Sequence, residues 1–196
     1  MRPGPRRPEP MKPGTLALFV VVGIVALLGG CWFAAGPIGP AVSLIDRFDA
    51  AEKRSTEPVA EAFAVRDVTL AGETRRAIFA HASSRLTFPD VTLPGEAWLH
   101  VAIGIEEAAW TAAASDGVVF RVGVSDGRDY EELLARHLDP ASQPGDRRWL
   151  PLVIDLTRYG GERVDLIFNT NASPPGADNR EFDLAVWGTP EIHTRR

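Results

Sequence analysis

Beyond about residue 59 the chain alternates apolar and polar positions with a period of two. Val118, Phe120, Val122 and Val124 share one face of the clearest run, and Val119, Arg121, Gly123 and Ser125 share the other. Leu99, Val101, Ile103 and Ile105 alternate in the same way with Trp98, His100, Ala102 and Gly104. Leu150, Leu152, Ile154 and Leu156 form a third run, and Val164, Leu166 and Phe168 a fourth. Successive side chains of a strand point to opposite faces, so each run predicts a half-buried β-strand. Weaker runs predict strands at 63–70, 76–80, 85–88 and 184–187. Asp116-Gly117, Asp126-Gly127, Pro94-Gly95, Gly160-Gly161 and Pro174-Pro175-Gly176 supply the turns between them. Residues 130–138 fit two periods. Tyr130, Leu134 and Leu138 would line a helix, whereas Glu131, Leu133, Ala135 and His137 fit an edge strand, and the neighbouring strands favour the second. About eight short strands predict an all-β fold, a two-sheet antiparallel β-sandwich of jelly-roll type over residues 59–196.

The pattern is different near the N-terminus. Thr15 to Ala35 is a nearly continuous run of 21 apolar or small residues, and a helix needs about 20 to cross a bilayer. No charge lies between Pro13 and Ile45. Residues 1–14 form a Pro-rich arm with Arg2, Arg6, Arg7 and Lys12 against Glu9, a balance of +3. From Asp46 onward 17 basic residues face 25 acidic ones, a balance of −8. Cations before the span and none directly after it predict a single-pass membrane protein, with the arm cytoplasmic and the acidic domain outside. The same segment carries a second reading. Leu27-Leu28-Gly29-Gly30-Cys31 has the form of a bacterial lipobox after a short basic start, which makes Cys31 a lipidation candidate. Both readings attach the chain to a membrane. Residues 36–58 read as a linker, broken by Gly36-Pro37 and Gly39-Pro40, with Leu44, Phe48 and Ala51 at helical spacing inside 43–53.

Composition excludes some roles. A net charge of −5 argues against nucleic acid as partner, because phosphate contacts need an excess of Lys and Arg. One cysteine excludes an internal disulfide framework. His81, His100, His137 and His193 have neither the mutual spacing nor the Cys companions of a zinc module.

The run Val118-Val119-Phe120-Arg121-Val122-Gly123-Val124-Ser125-Asp126-Gly127 is followed by Leu152 to Leu156, by Val164 to Phe168, and by Asp183-Leu184-Ala185-Val186-Trp187-Gly188. That order, a V-x-F-x-V strand with a D-G turn and a closing D-x-A-x-W segment, resembles the galactose-binding-like jelly rolls of the novel carbohydrate-binding module type. The resemblance covers roughly residues 75–192 and implies the sandwich fold and a carbohydrate ligand. Members often stand as accessory domains beside an enzyme, whereas here the resemblance spans nearly all of the outer part. Related jelly rolls sometimes hold a structural calcium, for which Asp116, Asp126, Asp178, Asn179 and Asp183 offer oxygen donors without the spacing of an EF-hand.

A sugar site needs an aromatic face for the apolar side of a pyranose and polar groups for its hydroxyls. Trp98 and His100 point the same way from one strand, and Arg121 points away from the apolar face of its own. If those strands share a sheet, the three form one ligand-binding patch. Trp110, Trp149 and Trp187 read as packing residues. Catalysis would fall to Glu106, Glu107, Asp116 or Asp155, which read as solvated carboxylates at strand ends, or to Ser83, Ser84 or Ser125, which lack the glycines of a nucleophile elbow. The expected function is therefore non-catalytic: a membrane-anchored, extracytoplasmic domain that binds a carbohydrate or cell-envelope glycan. The alternative is a structural or protein-interaction domain of an envelope complex with no sugar site.

Overall fold

The computed structural model describes residues 40–172 and 180–194. The basic arm, the apolar run with Cys31, and Asp178 and Asn179 lie outside the described residues. Pro40–Arg196 is one compact unit. Its strands are β1 (Val42–Ser43), β2 (Glu52–Ser55), β3 (Phe63–Leu70), β4 (Glu73–Ala80), β5 (Ser84–Thr92), β6 (Trp98–Ile105), β7 (Val118–Ser125), β8 (Tyr130–Leu138), β9 (Leu150–Asp155), β10 (Arg163–Ala172) and β11 (Ala185–His193), with one helical turn, α1 (Val59–Ala62), before β3. They form two sheets. The first runs β3-β4-β11-β6-β9, with β1 also paired to β11, and the second runs β2-β5-β10-β7-β8. Every paired neighbour is antiparallel. The predicted all-β, two-sheet sandwich is the fold, and residues 130–138 are an edge strand.

The alternation sets the two faces of each sheet. Leu99, Val101, Ile103 and Ile105 of β6 and Val118, Phe120, Val122 and Val124 of β7 pack in one core between the sheets, with Leu166 and Phe168 of β10 and Trp187 of β11. A second, smaller cluster covers part of the first sheet's outer face: Val68, Leu70, Ala77, Phe79, Ala102, Trp149 and Val186. Trp149 and Trp187 are thus packing residues, and Trp110 packs against the smaller cluster while its Nε1 donates to the Ile105 carbonyl at 2.8 Å. β5 and β11 run longer than the periodicity predicts. Each passes through a register shift beside a proline, Pro89 in one and Pro190 in the other, where the period-two pattern is interrupted.

Residues 40–58 correct the linker reading. Ser43–Lys53 is not a helix. The chain makes successive four-residue turns between Leu44 and Ala51, each closed by a hydrogen bond from the N–H three residues on, and β1 and β2 flank them. β1 pairs with β11 of the first sheet and β2 with β5 of the second, so this segment belongs to both layers. Leu44 and Ala51 keep their apolar role but spend it in the sandwich core. So short a helix is marginal without packing, and here strand pairing at both ends takes its place. Leu44 is fully buried, so Leu44→Ala should cost about 3 kcal/mol. Urea denaturation checks this; a cost under about 1 kcal/mol would return the segment to a linker.

Candidate functional site

The second sheet's outer face carries a row of polar side chains set by register. Arg54 of β2 stands opposite Arg85 of β5, Arg85 opposite Asn169 of β10, and Asn169 opposite Arg121 of β7. Strands lie about 4.8 Å apart, so four strands hold these groups in one line. Arg85 Nε donates to Asn169 Oδ1 at 2.8 Å, and Arg121 Nη1 donates to Glu132 Oε2 at 2.7 Å. Asn169 is 7% exposed, a polar anchor under the row.

An aromatic ring lies beside this row. Gly123 sits in the middle of β7, and a Cβ there would fall 2.3–2.6 Å from Cε2, Cζ and Oη of Tyr130. Glycine therefore lets the ring rest on the β7 backbone, the close approach that an interior strand glycine often marks. Tyr130 is still 49% exposed. Its hydroxyl pKa is raised, first by desolvation and then by Glu132, while Arg85 and Arg121 oppose the shift. That coupling places the phenol within the field of both guanidiniums. Asp126 fixes the turn that delivers Tyr130: its Oδ1 accepts from the N–H of Arg128 at 2.8 Å and of Asp129 at 2.9 Å, and these bonds hold its carboxyl below the usual range. At the other end of the row, Arg54, Ser55, Thr56, Ser83, Ser84, Arg85, Asn169 and Asn171 line a shallow groove of about 280 Å³.

The three residues singled out in the sequence are not brought together. Trp98 and His100 stand on β6 of the first sheet and Arg121 on β7 of the second, so the condition of a shared sheet is not met. Their outer faces lie on opposite sides of the sandwich. Trp98 and His100 do share a face, each half-buried, with His193 opposite Trp98 and Glu191 opposite His100. The His100 and His193 rings lie 4.6 Å apart, and His193 Nε2 is 3.1 Å from Glu191 Oε2. Local alternation puts Arg121 on the outer face of its strand, and it does not single out Tyr130, Arg85 or Asn169 beside it. The available signal was Gly123, a glycine inside the strongest strand with an aromatic just past the following turn.

Other polar groups are engaged within the fold. A larger groove, about 560 Å³, runs between the edge strands β8 and β9 and is lined by Glu131, Leu133, Val153, Asp155 and Arg158 among others. Glu131 there pairs with Arg158 and accepts from the Tyr159 hydroxyl at 2.7 Å, and Asp155 accepts from the Thr157 N–H at 2.8 Å. Glu106 pairs with Arg66 at 2.6 Å, and Glu107 accepts from the Ala71 N–H at 2.9 Å. Ser84 Oγ lies 2.6 Å from Thr170 Oγ1, Ser83 Oγ accepts from the Ala172 N–H and Ser125 Oγ from the Gly127 N–H.

Asp183, the first residue of the closing D-x-A-x-W segment, is fully buried. Neither of its carboxylate oxygens has a hydrogen-bond partner among the described residues, and the same holds for Asp116 Oδ1 and Ser115 Oγ. Desolvation, with Asp116 second, raises the Asp183 pKa to about 7, against the opposing charge of Arg180. These orphaned oxygens have the chemistry of ligands for a hard cation, although no group of three or more His, Cys, Asp or Glu among the described residues is arranged to hold a metal. Asp126 serves its own turn instead.

No family model matches the chain. An uncharacterized protein of Archaeoglobus fulgidus is 34% identical over 109 residues, 56% of this chain and 27% of that protein. The chain thus spans about a quarter of that relative's length. Among solved structures, the CBM51 from Clostridium perfringens GH95, in complex with methyl-galactose, superposes with a TM-score of 0.50 at 15% identity, covering 77% of this chain and 98% of that one. The M60 catalytic domain with CBM51-1 and CBM51-2 from Clostridium perfringens ZmpB gives 0.49 at 16% identity, over 82% of this chain and 15% of that one. At such identity the likeness is one of fold alone, a two-sheet antiparallel β-sandwich.

Proposed function

We propose that the chain is a non-catalytic glycan-binding domain and that its site is the outer face of the second sheet. The observation that carries this reading is the half-exposed Tyr130 ring, laid on Gly123 and bordered by Arg85, Arg121 and Glu132. A pyranose has an apolar C–H face for such a ring and hydroxyls for guanidinium and amide groups at its rim. The face keeps Arg121 from the sequence-predicted set and takes Tyr130 in place of Trp98. A sandwich shared with a galactoside-bound module is consistent with this use, though fold alone does not assign it.

Tyr130→Ala should weaken binding to a retained polysaccharide at least about tenfold, since aromatic anchors dominate such contacts. Trp98→Ala should leave it unchanged. Affinity electrophoresis of the full chain in detergent measures both. A loss with Trp98→Ala and none with Tyr130→Ala would move the site to the first sheet. The full chain is needed because a fragment cut after β2 would lack β1, β2 and the buried Leu44.

The reading includes attachment to a membrane through residues 15–35, either as an uncleaved span or through lipid on Cys31, with the domain outside the cytoplasm. The apolar run and its charged flanks support this, and the mass of the mature N-terminus separates the two anchors. Among the described residues no helix is long and apolar enough to cross a membrane. We also propose a structural calcium at Asp183 and Asp116.

A further inference from the structure

We infer that the glycan taken by this face is anionic, with a uronate carboxylate or sulfate ester seated in the groove at Arg54 and Arg85. The inference rests on the proposed glycan site and adds the charge of its ligand. Three observations carry it.

The first is how arginines are used elsewhere on the domain. Arg66, Arg75, Arg121 and Arg158 each have a carboxylate within close ion-pair distance. Arg85 instead spends its Nε on the neutral amide of Asn169, and no carboxylate of the described residues pairs with it. Arg54 meets Glu52 only at 3.9 Å, with both side chains mostly exposed. The second is the lining of the groove. Its eight residues are two arginines, four hydroxyl residues and two asparagines, without a carboxylate. Guanidinium is the side chain whose fork matches a planar or tetrahedral oxyanion, and hydroxyl and amide groups complete a sugar's hydrogen bonds. The third is contrast of sign. From Asp46 onward the chain carries −8, so a groove whose charged lining residues are both arginines runs against the prevailing charge. An acidic polymer repelled by the net charge of the domain finds opposite charge in this groove.

The geometry orients the ligand. Arg85 belongs both to the groove and to the surroundings of Tyr130. A sugar stacked on Tyr130 can therefore place a charged substituent, its own or its neighbour's along the chain, toward Arg85 and Arg54.

The test uses the full chain in detergent, with matched polymers that differ in charge: polygalacturonate against fully methyl-esterified pectin, and dextran sulfate against dextran. Arg85→Gln, Arg54→Gln and Tyr130→Ala are compared by isothermal titration calorimetry, and unchanged melting temperatures establish that each variant folds. The expected result is binding to one anionic polymer at least tenfold tighter than to its neutral partner, lost at least tenfold in Arg85→Gln and also weakened in Tyr130→Ala. Which anionic polymer binds separates uronate from sulfate. Equal binding of charged and neutral partners, lost in Tyr130→Ala but not in Arg85→Gln, would overturn the anionic inference and leave the glycan site standing. Retention of acidic polymers by every variant, abolished by modest salt, would overturn both, as would the absence of binding to all four polymers.

Discussion

Trp187→Ala should remove about 4–5 kcal/mol of stability and leave most of the chain unfolded under mild denaturant. The indole is fully buried between the sheets, with its ring 5.0 Å from Phe120 at 78° and 4.5 Å from Phe168 at 30°. Truncating a buried tryptophan costs about 3–5 kcal/mol, and each aromatic contact adds roughly 0.5–1.5 kcal/mol. Domains of this size are stable by about 5–15 kcal/mol in total. Trp187→Phe should behave differently. It removes less volume, and it also removes the Nε1 N–H, which is buried without a partner among the described residues. An unsatisfied buried donor costs about 1–3 kcal/mol, so its loss offsets most of the cavity and leaves a net change of about 1–2 kcal/mol. Denaturation followed by far-ultraviolet circular dichroism gives both values. Equal costs for Phe and Ala would mean that the indole N–H has a partner the strand packing does not supply. Because Trp187 faces the core and not the second sheet's outer surface, the Phe variant should leave the proposed glycan site untouched.

What the sequence disclosed follows the range of the forces involved. Strand identity depends on neighbours two residues apart, so the faces of β6, β7, β9 and β10 were legible directly from alternation. Strand pairing depends on residues far apart in the chain. Nothing in Val42–Ser43 announces β11, and nothing in Glu52–Ser55 announces β5, so a segment rich in turns read as a linker. The same limit separated the candidate site. Arg121 was placed correctly on an outer face, but whether β6 lies beside β7 is a matter of topology, and it does not. Tyr130 was hidden for another reason. It opens an edge strand in which polar and apolar residues compete, and its posture rests on the absence of a side chain at Gly123, across the turn.

At pH 8 in a chelating buffer, Asp183→Asn should be more stable than the wild type by about 2–3 kcal/mol. The carboxyl has an ordinary pKa of 3.8 in the unfolded chain and about 7 in the fold. Between those values the unfolded state has released its proton while the folded state keeps it, so stability falls as pH rises from about 4 to 7 and is level above. At about 1.4 kcal/mol per unit this amounts to roughly 4 kcal/mol at pH 8. An amide in the same place has no such penalty, although its own buried polar atoms give back about 1 kcal/mol. Near pH 4 the two proteins should differ little, and at pH 5 by less than about 1 kcal/mol. Urea denaturation at pH 5 and pH 8 gives the double difference, which cancels carboxylates common to both chains. A difference that does not change with pH would show that Asp183 is charged in the fold and satisfied by groups outside the described residues. Calcium supplies the second arm. A cation on Asp183 and Asp116 stabilises the ionised form that burial disfavours, so it should raise wild-type stability at pH 8 by about 2.7 kcal/mol at a hundred times its dissociation constant. Asp183→Asn should gain far less. Equal gains in both proteins would remove Asp183 from the calcium site and leave a proton as the group that neutralises it.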